Sequence, residues 1–218
     1  MIKNARKMIF SVGHSDHTIG RFIELLSTHR ISAIADVRSM PYSRFHPQFN
    51  RDQLQAALLA RGIRYVFLGD ELGARRSEPQ CYVKGKARYE LIARTQKFQE
   101  GLNRLREGMD SHLIALMCAE KDPITCHRAI LVTRHLRSFD TSICHIHSDG
   151  GTEAQAALEE RLLKLTRVDV QDLFTGRCDA IERAYAIQGE RIAYTARSTG
   201  HAAEEVKVEY QDIHNRIY

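Results

Sequence analysis

Reactive side chains are concentrated in the segment 118–128, which follows an apolar run. Its chemically versatile members are Cys118, Glu120, Cys126, His127 and Arg128. Thr125 is suited to cap a helix, which would place the Cys126 thiol in a first turn whose free N–H groups and dipole stabilise a thiolate. Cys118 ends the apolar run, where loss of water raises a thiol pKa. The pattern predicts that Cys126 is reactive and more acidic than Cys118; a small buried cysteine at a turn is the alternative.

Polar residues also follow the other apolar runs that resemble strands. His14 and Ser15 come after the first run, and Asp36 and Arg38 come after the second. In open α/β sheets the ligand crevice lies beyond the carboxyl ends of the strands, so these residues are expected to meet the segment 118–128 there. We predict one shared site, in which the imidazoles move protons near neutral pH. Its catalytic candidates are His14, Asp36, Cys118, Glu120, Cys126 and His127.

Arginine and serine side chains at the same edge predict an anionic ligand. Arg38 and Arg128 carry fork-shaped donors suited to a phosphate or carboxylate, and the Ser15 and Ser43 hydroxyls are candidate donors to a phosphate. The alternative is an internal ion pair, in which either arginine binds the carboxylate of Asp36 or Glu120. Ser15 lacks the Gly-x-Ser-x-Gly elbow of a hydrolase, so a serine nucleophile is disfavoured.

The two cysteines, the glutamate and the histidine of the segment 118–128 are types that bind zinc. Their spacing argues against a metal site, since Cys-x7-Cys-His has no second paired knuckle and adjacent residues at a helix start point in different directions. His145 and His147 share a face of a later strand, where core or surface histidines are the simpler explanation. We predict no metal. Without a phosphate-binding loop or a dinucleotide fingerprint, no cofactor is predicted either.

Hydrophobic periodicity predicts the elements that position these residues. Short apolar runs bounded by turn residues predict strands at 8–12, 31–35, 64–68, 113–117 and 142–146. Apolar residues at helical spacing predict helices at 19–26, 51–60, 88–105, 126–136 and 152–165. This alternation predicts an α/β fold with a mostly parallel five-stranded sheet and helices on both faces, a Rossmann-like three-layer arrangement.

The regular alternation of strands and helices ends near residue 165. We therefore predict an α/β domain over residues 1–166 and a small C-terminal appendage over 167–218. Within the appendage the pattern indicates a helix near 180–187 and a strand around 191–194. The polar sequence beyond Thr195 predicts a partly ordered tail.

The composition is typical of a globular protein in a reducing compartment. The 218 residues are 43% hydrophobic and 27% charged, which argues against a disordered or fibrous chain. The five cysteines are odd in number and widely spaced, and neither a secretory signal nor a membrane-length apolar stretch is recognised, so a cytoplasmic location without a membrane partner is expected. A net charge of +5 favours an anionic small molecule or nucleic acid as partner. The oligomeric state is left open.

Several motifs of the chain occur together in a known family. They are Gly13-His14-Ser15, Asp36-Val37-Arg38 with Pro41-Tyr42-Ser43-Arg44 behind it, Gly62-Ile63-Arg64-Tyr65, Leu72-Gly73, and Cys118-Ala119-Glu120 followed by Cys126-His127-Arg128. In this order, over roughly residues 8–146 and with further similarity to residue 163, the chain resembles the bacterial and archaeal domain-of-unknown-function 488 family. The resemblance implies that these loops form one site, and it implies no particular activity.

Two classes of function fit these observations. One is an enzyme that acts on a nucleotide-like or nucleic-acid-derived anion by acid/base or thiol chemistry at the carboxyl edge of the sheet. The other is a non-catalytic module that binds nucleic acid or an anionic ligand at the same edge. We favour the enzyme, because a binding groove needs arginines but does not need cysteine, histidine and carboxylate gathered beside them.

Overall fold

One mostly parallel sheet connects the strands that carry the predicted site. The computed structural model describes residues 7–139, 141–169 and 176–196. Within these ranges the strands are β1 (Lys7–Gly13), β2 (Ala33–Asp36), β3 (Arg64–Phe67), β4 (Tyr82–Val83), β5 (Lys86–Ala87), β6 (Ile114–Cys118), β7 (Thr141–Ile146) and β8 (Thr152–Ala154). The six-stranded sheet has the order β3-β2-β6-β1-β7-β8, and its neighbours are parallel except for β7 and β8. The predicted α/β class is confirmed.

The edge strand β8 makes the sheet six-stranded where the sequence predicts five strands. Residues 152–154 fall at the start of the predicted helix 152–165, but the chain turns back after β7 and pairs Thr152 with Ile146. The turn contains Gly150 at φ +98°, a conformation that glycine adopts without strain. The helix that follows therefore begins only at Gln155.

The predicted helices are present but differ in extent, and the short helix α3 is not predicted from the sequence. They are α1 (Ile19–Thr28), α2 (Arg51–Leu59), α3 (Gly69–Leu72), α4 (Tyr89–Ala93), α5 (Gln96–Gly108), α6 (Arg134–Leu136), α7 (Gln155–Thr166) and α8 (Arg177–Ile192). The predicted helix 88–105 is divided, because Thr95 is extended and its hydroxyl caps α5 by accepting from the N–H of Phe98. The strand predicted at 191–194 is wrong, since α8 continues to Ile192. No helix among the described residues has the length and apolar character needed to cross a membrane.

The predicted helix 126–136 has an irregular beginning. A 3-10 turn covers Pro123–Thr125, a π-helical segment covers Arg128–Thr133, and the short α6 follows. π-Helical turns are rare and occur frequently at functional sites. This irregular segment follows the loop that carries Glu120.

Alternating residues of the strands divide the core into two apolar layers, one on each face of the sheet. Along β6, Leu116 and Cys118 belong to one layer, whereas Ala115 and Met117 belong to the other. Side chains of α5, the π-helical segment, α7 and α8 complete the first layer, and those of α1 and α2 complete the second. Helices therefore cover both faces, as the sequence predicts.

The last described helix packs on the body of the protein. Ala180, Ala184 and Tyr185 of α8 are completely buried in the same core layer as residues of α7. The division after residue 166 stays a prediction, and most of the predicted tail lies outside the described residues.

Candidate functional site

The order of the strands explains why residues distant in sequence meet. β6 lies between β1 and β2, so the loops that follow these three strands begin side by side. The N–H of His14 donates to the carbonyl oxygen of Cys118 at 2.9 Å. A Cβ atom at Gly13 would lie 1.9 Å from the carbonyl oxygen of Glu120, so this approach requires glycine. The loops after the strands therefore converge at one edge of the sheet.

Four side chains form a compact group, which we call the thiol cluster: Cys118, Glu120, Cys126 and His127. One sulfur, nitrogen or carboxylate oxygen from each lies within 4.8 Å of the others. The Sγ of Cys118 is 3.6 Å from Nδ1 of His127, and the thiol of Cys126 donates to Oε2 of Glu120 at 2.9 Å. Both cysteines and the histidine are buried, whereas Glu120 is exposed. The carboxylate is therefore the member of the cluster that meets solvent.

The Cys126 thiol is positioned by the backbone that precedes the π-helical segment. Cys126 is extended, with φ −127° and ψ 140°, and its carbonyl oxygen accepts from the N–H of Ile130 at 3.1 Å. Its Sγ accepts from the N–H of Arg128 at 3.4 Å. Cys126 thus makes the capping contacts that the sequence assigns to Thr125. The prediction fails because Thr125 belongs to the preceding 3-10 turn.

Burial and mutual contact separate the acidities of the two thiols. Burial raises the pKa of Cys118, and its contact with Cys126 raises it further. Burial also acts to raise the pKa of Cys126, but the hydrogen bond with Cys118 and the charge of Arg128 outweigh it and hold that pKa well below its usual value. Loss of water and the neighbouring Cys126 raise the pKa of Glu120. Burial lowers the pKa of His127, but contact with Cys126 more than reverses this, so the net shift is upward. These directions agree with the predicted order of the two thiols.

Arg128 is completely buried and holds the loop that carries Glu120. Its Nη1 and Nη2 donate to the carbonyl oxygens of Glu120 and Lys121 at 2.6 and 3.1 Å. Its Nε donates to the Ser11 hydroxyl oxygen at 3.4 Å, and that oxygen is 2.7 Å from Nδ1 of His145. The observed partners of Arg128 are thus internal: two backbone oxygens and a hydroxyl, in place of the predicted anion or carboxylate.

Arg38 and Asp36 form the internal ion pair that the sequence offers as the alternative to anion binding. The Nε and Nη2 of Arg38 donate to Oδ1 and Oδ2 of Asp36 at 2.9 and 2.6 Å, and Nη2 also donates to the carbonyl oxygen of Phe49. The Tyr65 hydroxyl donates to Oδ2 of Asp36 at 2.8 Å. Asp36 is 0% exposed and Arg38 is 6% exposed, so water screens this pair very little.

His14 lies beside this ion pair. Its ring stacks on Phe49 with the ring centroids 4.3 Å apart, and its Nε2 is 3.4 Å from Nη1 of Arg38. Its Nδ1 donates to the carbonyl oxygen of Ser15 at 2.9 Å. Burial, supported by the charge of Arg38, lowers the pKa of His14 to about 4. The imidazole is therefore neutral near pH 7, and its role as a proton shuttle stays a prediction.

The two serines predicted to bind an anion make hydrogen bonds within their own loops. The Ser15 hydroxyl donates to Oδ1 of Asp16 at 2.9 Å. The Oγ of Ser43 accepts from the N–H groups of Phe45 and His46, both at 3.2 Å. Both contacts stabilise turns, and anion binding by these serines stays a prediction.

The thiol cluster and the ion pair adjoin through Val37. The Nε2 of His127 donates to the carbonyl oxygen of Val37 at 2.9 Å, and Val37 lies between Asp36 and Arg38. The other ring nitrogen, Nδ1, is the atom that contacts Sγ of Cys118 in the thiol cluster. The predicted catalytic residues therefore form two adjoining groups at the carboxyl edge.

The thiol cluster also has the donor set of a metal centre, since sulfur, imidazole nitrogen and carboxylate oxygen are all zinc ligands. The spacing argument against a metal does not hold in the structure. Cys126 is extended while His127 is helical, and this change of backbone conformation lets adjacent side chains reach the same point. The residues present therefore fit a metal ion.

Sequence reasoning does not single out two of the supporting residues, Ser11 and Phe49. Ser11 and His145 are register partners in β1 and β7, so a polar residue within the apolar run 8–12 is the signal that points to Ser11. Phe49 reaches His14 from the 3-10 turn Pro47–Phe49, and no local pattern indicates that contact. His145 is completely buried, which agrees with its interpretation as a core histidine.

The sheet and the thiol cluster define an α/β protein with cysteine, histidine and carboxylate side chains gathered at the carboxyl edge. Residues 18–135 match the family model described as domain of unknown function DUF488, which is more than half of the chain. The chain therefore belongs to this family, as its motifs predict. The matched residues include the whole thiol cluster. Comparisons with curated proteins and with solved structures found no match.

Proposed function

We propose that the chain is an enzyme whose active centre is the thiol cluster, acting on a nucleotide-like or nucleic-acid-derived anion by acid/base or thiol chemistry. The observation that carries this proposal is the convergence of two thiols, an imidazole and a carboxylate within 4.8 Å. A completely buried arginine, Arg128, supports the loop beside them. Burial of a charge is costly unless the charge is well paired. A surface that only binds anions does not require a buried cluster of thiols and an imidazole beside a buried arginine, so the cluster favours catalysis.

Glu120 is the group best suited to exchange protons with a substrate. It is exposed, and it hydrogen-bonds to the buried Cys126. A proton can therefore pass between the substrate side and the interior of the cluster through this carboxylate. In this proposal Arg38 and Arg128 are positioning residues. The guanidinium of Arg38 donates to Asp36, and that of Arg128 donates to backbone carbonyl oxygens.

The anionic substrate is supported by charge at the surface rather than by the buried arginines. Lys121 is exposed next to Glu120, and Arg44 is exposed on the loop after β2. The net charge of +5 acts in the same direction. An incoming anion would thus meet solvated cations before it reaches the carboxylate.

A non-catalytic module that binds single-stranded nucleic acid is the second candidate. It is favoured by the loop 40–45, in which Tyr42 is 58% exposed and Phe45 is 88% exposed beside Arg44. Exposed aromatic rings next to a cation are suited to stack on unpaired bases.

A substrate screen with one matched pair of variants tests the proposal. The full chain is incubated with mononucleotides, dinucleotides and short single-stranded oligonucleotides, and products are identified by mass spectrometry. Turnover should fall by at least about 100-fold in Glu120→Gln, because a general acid/base contributes that much, and it should be unchanged in Glu107→Gln on the exposed face of α5. Binding of oligonucleotides without turnover, lost in Phe45→Ala and falling steeply with salt, would support the binding module and overturn the enzyme.

A further inference from the structure

We infer that the thiol cluster is a binding site for one borderline-soft divalent cation, for which Zn²⁺ is the best fit, with Cys118, Cys126 and His127 as ligands and Glu120 at the solvent side. As a cofactor of the active centre, the ion rests on the proposed function. Its binding is a separate property that holds whether or not the protein is an enzyme.

One separation within the cluster matches that between two ligands of a zinc ion, and all four donor atoms lie within 4.8 Å of one another. With Zn–S bonds of about 2.3 Å and Zn–N bonds of about 2.0 Å, sulfur and nitrogen ligands of a tetrahedral ion lie about 3.5 Å apart. The Sγ of Cys118 and Nδ1 of His127 are 3.6 Å apart. The 2.9 Å between Sγ of Cys126 and Oε2 of Glu120 is a hydrogen-bond distance, shorter than that between two ligands. We therefore assign the ligand role to the sulfur of Cys126 and leave the exposed carboxylate on the solvent side.

Hydrogen bonds with the backbone orient the ligand atoms of His127 and Cys126, as similar bonds do in metal centres. A metal-binding histidine usually donates its other ring N–H to a carbonyl or carboxylate oxygen, which fixes its orientation. His127 does so to the carbonyl oxygen of Val37 at 2.9 Å. The Sγ of Cys126 accepts from the N–H of Arg128, a bond that stabilises sulfur as a thiolate. Both donors are thus oriented by the backbone without an ion.

The formal charges also balance around a divalent cation. Two thiolates and the carboxylate carry three negative charges, which the cation and the buried guanidinium of Arg128 offset together. The donor types select the kind of metal, because Mg²⁺ and Ca²⁺ take oxygen ligands whereas thiolate with imidazole selects zinc-like ions.

Three buried ligands and an exposed fourth group have a chemical consequence. A zinc ion with three protein ligands keeps one position for water or substrate, and it makes bound water acidic near neutral pH. Glu120 is the exposed member of the cluster and would be the carboxylate available to accept a proton from that water. When bound, the ion would supply acidic water suited to hydrolysis, and Cys118, Cys126 and His127 would hold it.

Metal analysis of the full chain tests the inference without any substrate. The protein is purified without chelators in a non-thiol reductant, and its zinc content is measured by mass spectrometry. We expect about one Zn²⁺ per chain, and Co²⁺ added to the metal-free protein should give thiolate-to-cobalt charge-transfer bands and the strong visible bands of a tetrahedral ion. Protein that is free of zinc and takes up neither Zn²⁺ nor Co²⁺ in titration would overturn the inference.

Variants identify the ligands. Cys118→Ser, Cys126→Ser and His127→Gln should each lower Co²⁺ affinity by at least about 10-fold, whereas Cys144→Ser on β7 should leave it unchanged. Equal affinity in all four proteins would overturn the site. If a ligand variant fails to fold, protection of the wild-type thiols from alkylation by Zn²⁺, located by peptide mass spectrometry, decides instead: protection of Cys118 and Cys126 supports the site, and its absence contradicts it.

The two proposals fail in different experiments. One zinc ion per chain without turnover of any substrate would leave a structural metal site and remove the proposed function. Turnover that depends on Glu120 in protein free of zinc and unaffected by chelators would retain the enzyme and remove the metal.

Discussion

At the scale of single residues, the site depends on charged side chains that are buried with their partners. Asp36 accepts from two nitrogens of the Arg38 side chain, from the backbone N–H of Arg38 and from the Tyr65 hydroxyl. Such a pair adds little net stability over apolar residues, but removal of one partner leaves the other charge buried and unpaired. The pair thus fixes the loop that also supplies the Val37 carbonyl to His127.

Asp36→Ala should lower the free energy of unfolding by about 3–5 kcal/mol, because it leaves Arg38 without a counter-charge. Urea denaturation followed by circular dichroism measures this. The matched control is Glu24→Ala, which breaks the exposed pair with Arg21 and should cost less than about 1 kcal/mol. The double variant Asp36→Ala with Arg38→Met should recover part of the loss. Equal effects of Asp36→Ala and Glu24→Ala would contradict the role assigned to the buried pair.

At the scale of elements, the close approach of two loops positions Glu120. β1 and β6 run in parallel to Gly13 and Cys118, and the loops continue side by side beyond them. The missing side chain of Gly13 leaves space for the carbonyl oxygen of Glu120. The same loop is held from the other side by Arg128.

Gly13→Ala should lower the free energy of unfolding by about 2 kcal/mol, because a backbone oxygen at 1.9 Å from the new Cβ has to move. Gly20→Ala in α1 is the control, since no atom lies within 4 Å of its Cβ position. That substitution should stabilise the helix by about 0.5–1 kcal/mol. Thermal and urea unfolding of the two variants give the comparison, and a neutral Gly13→Ala would show that the loop has another arrangement in solution.

At the scale of the whole molecule, a buried polar network joins the sheet to the helices on one face. The Nε2 of His145 in β7 donates to the amide oxygen of Gln155 in α7, and its Nδ1 accepts from the Ser11 hydroxyl in β1. The amide nitrogen of Gln155 donates to the Tyr185 hydroxyl in α8. Loss of water, with the charges of Arg128, His147 and Arg161, lowers the pKa of His145 from 6.5 to about 3. The native state therefore keeps this histidine neutral.

This network predicts a loss of stability in acid. Below pH 6.5 the unfolded chain protonates His145 while the native state does not, so stability present above that pH is lost as the pH falls toward about 3. Between pH 7 and pH 5 the residue should account for about 2 kcal/mol of the decrease in unfolding free energy. His145→Asn should remove that part of the pH dependence, whereas His112→Asn, at a partly exposed position, should not. An unchanged pH profile in His145→Asn would contradict a neutral buried imidazole.

The α/β class, the positions of the five parallel strands and the approximate edge of the site could be predicted from the sequence. Runs such as 113–117 are apolar at every position because the strand is buried on both faces, so such a strand can be recognised from consecutive residues alone. The polar residues that follow such runs must lie at the carboxyl edge of a parallel sheet. The sequence also predicts that Cys126 is more acidic than Cys118, because strand burial and the nearby Arg128 are local features. The contact between the two thiols that contributes most to the low pKa of Cys126 is, however, not visible in the sequence.

The tertiary structure decided which groups touch. Whether Arg38 binds an anion or Asp36, and whether Arg128 binds a carboxylate or the carbonyl oxygens of its own loop, depends on distances between loops that periodicity does not encode. The strand order placed β6 between β1 and β2, and the extended backbone of Cys126 turned two adjacent side chains toward one point. The donor set of a metal centre arose there because contacts between loops depend on backbone conformation and sheet order, which local sequence leaves undetermined.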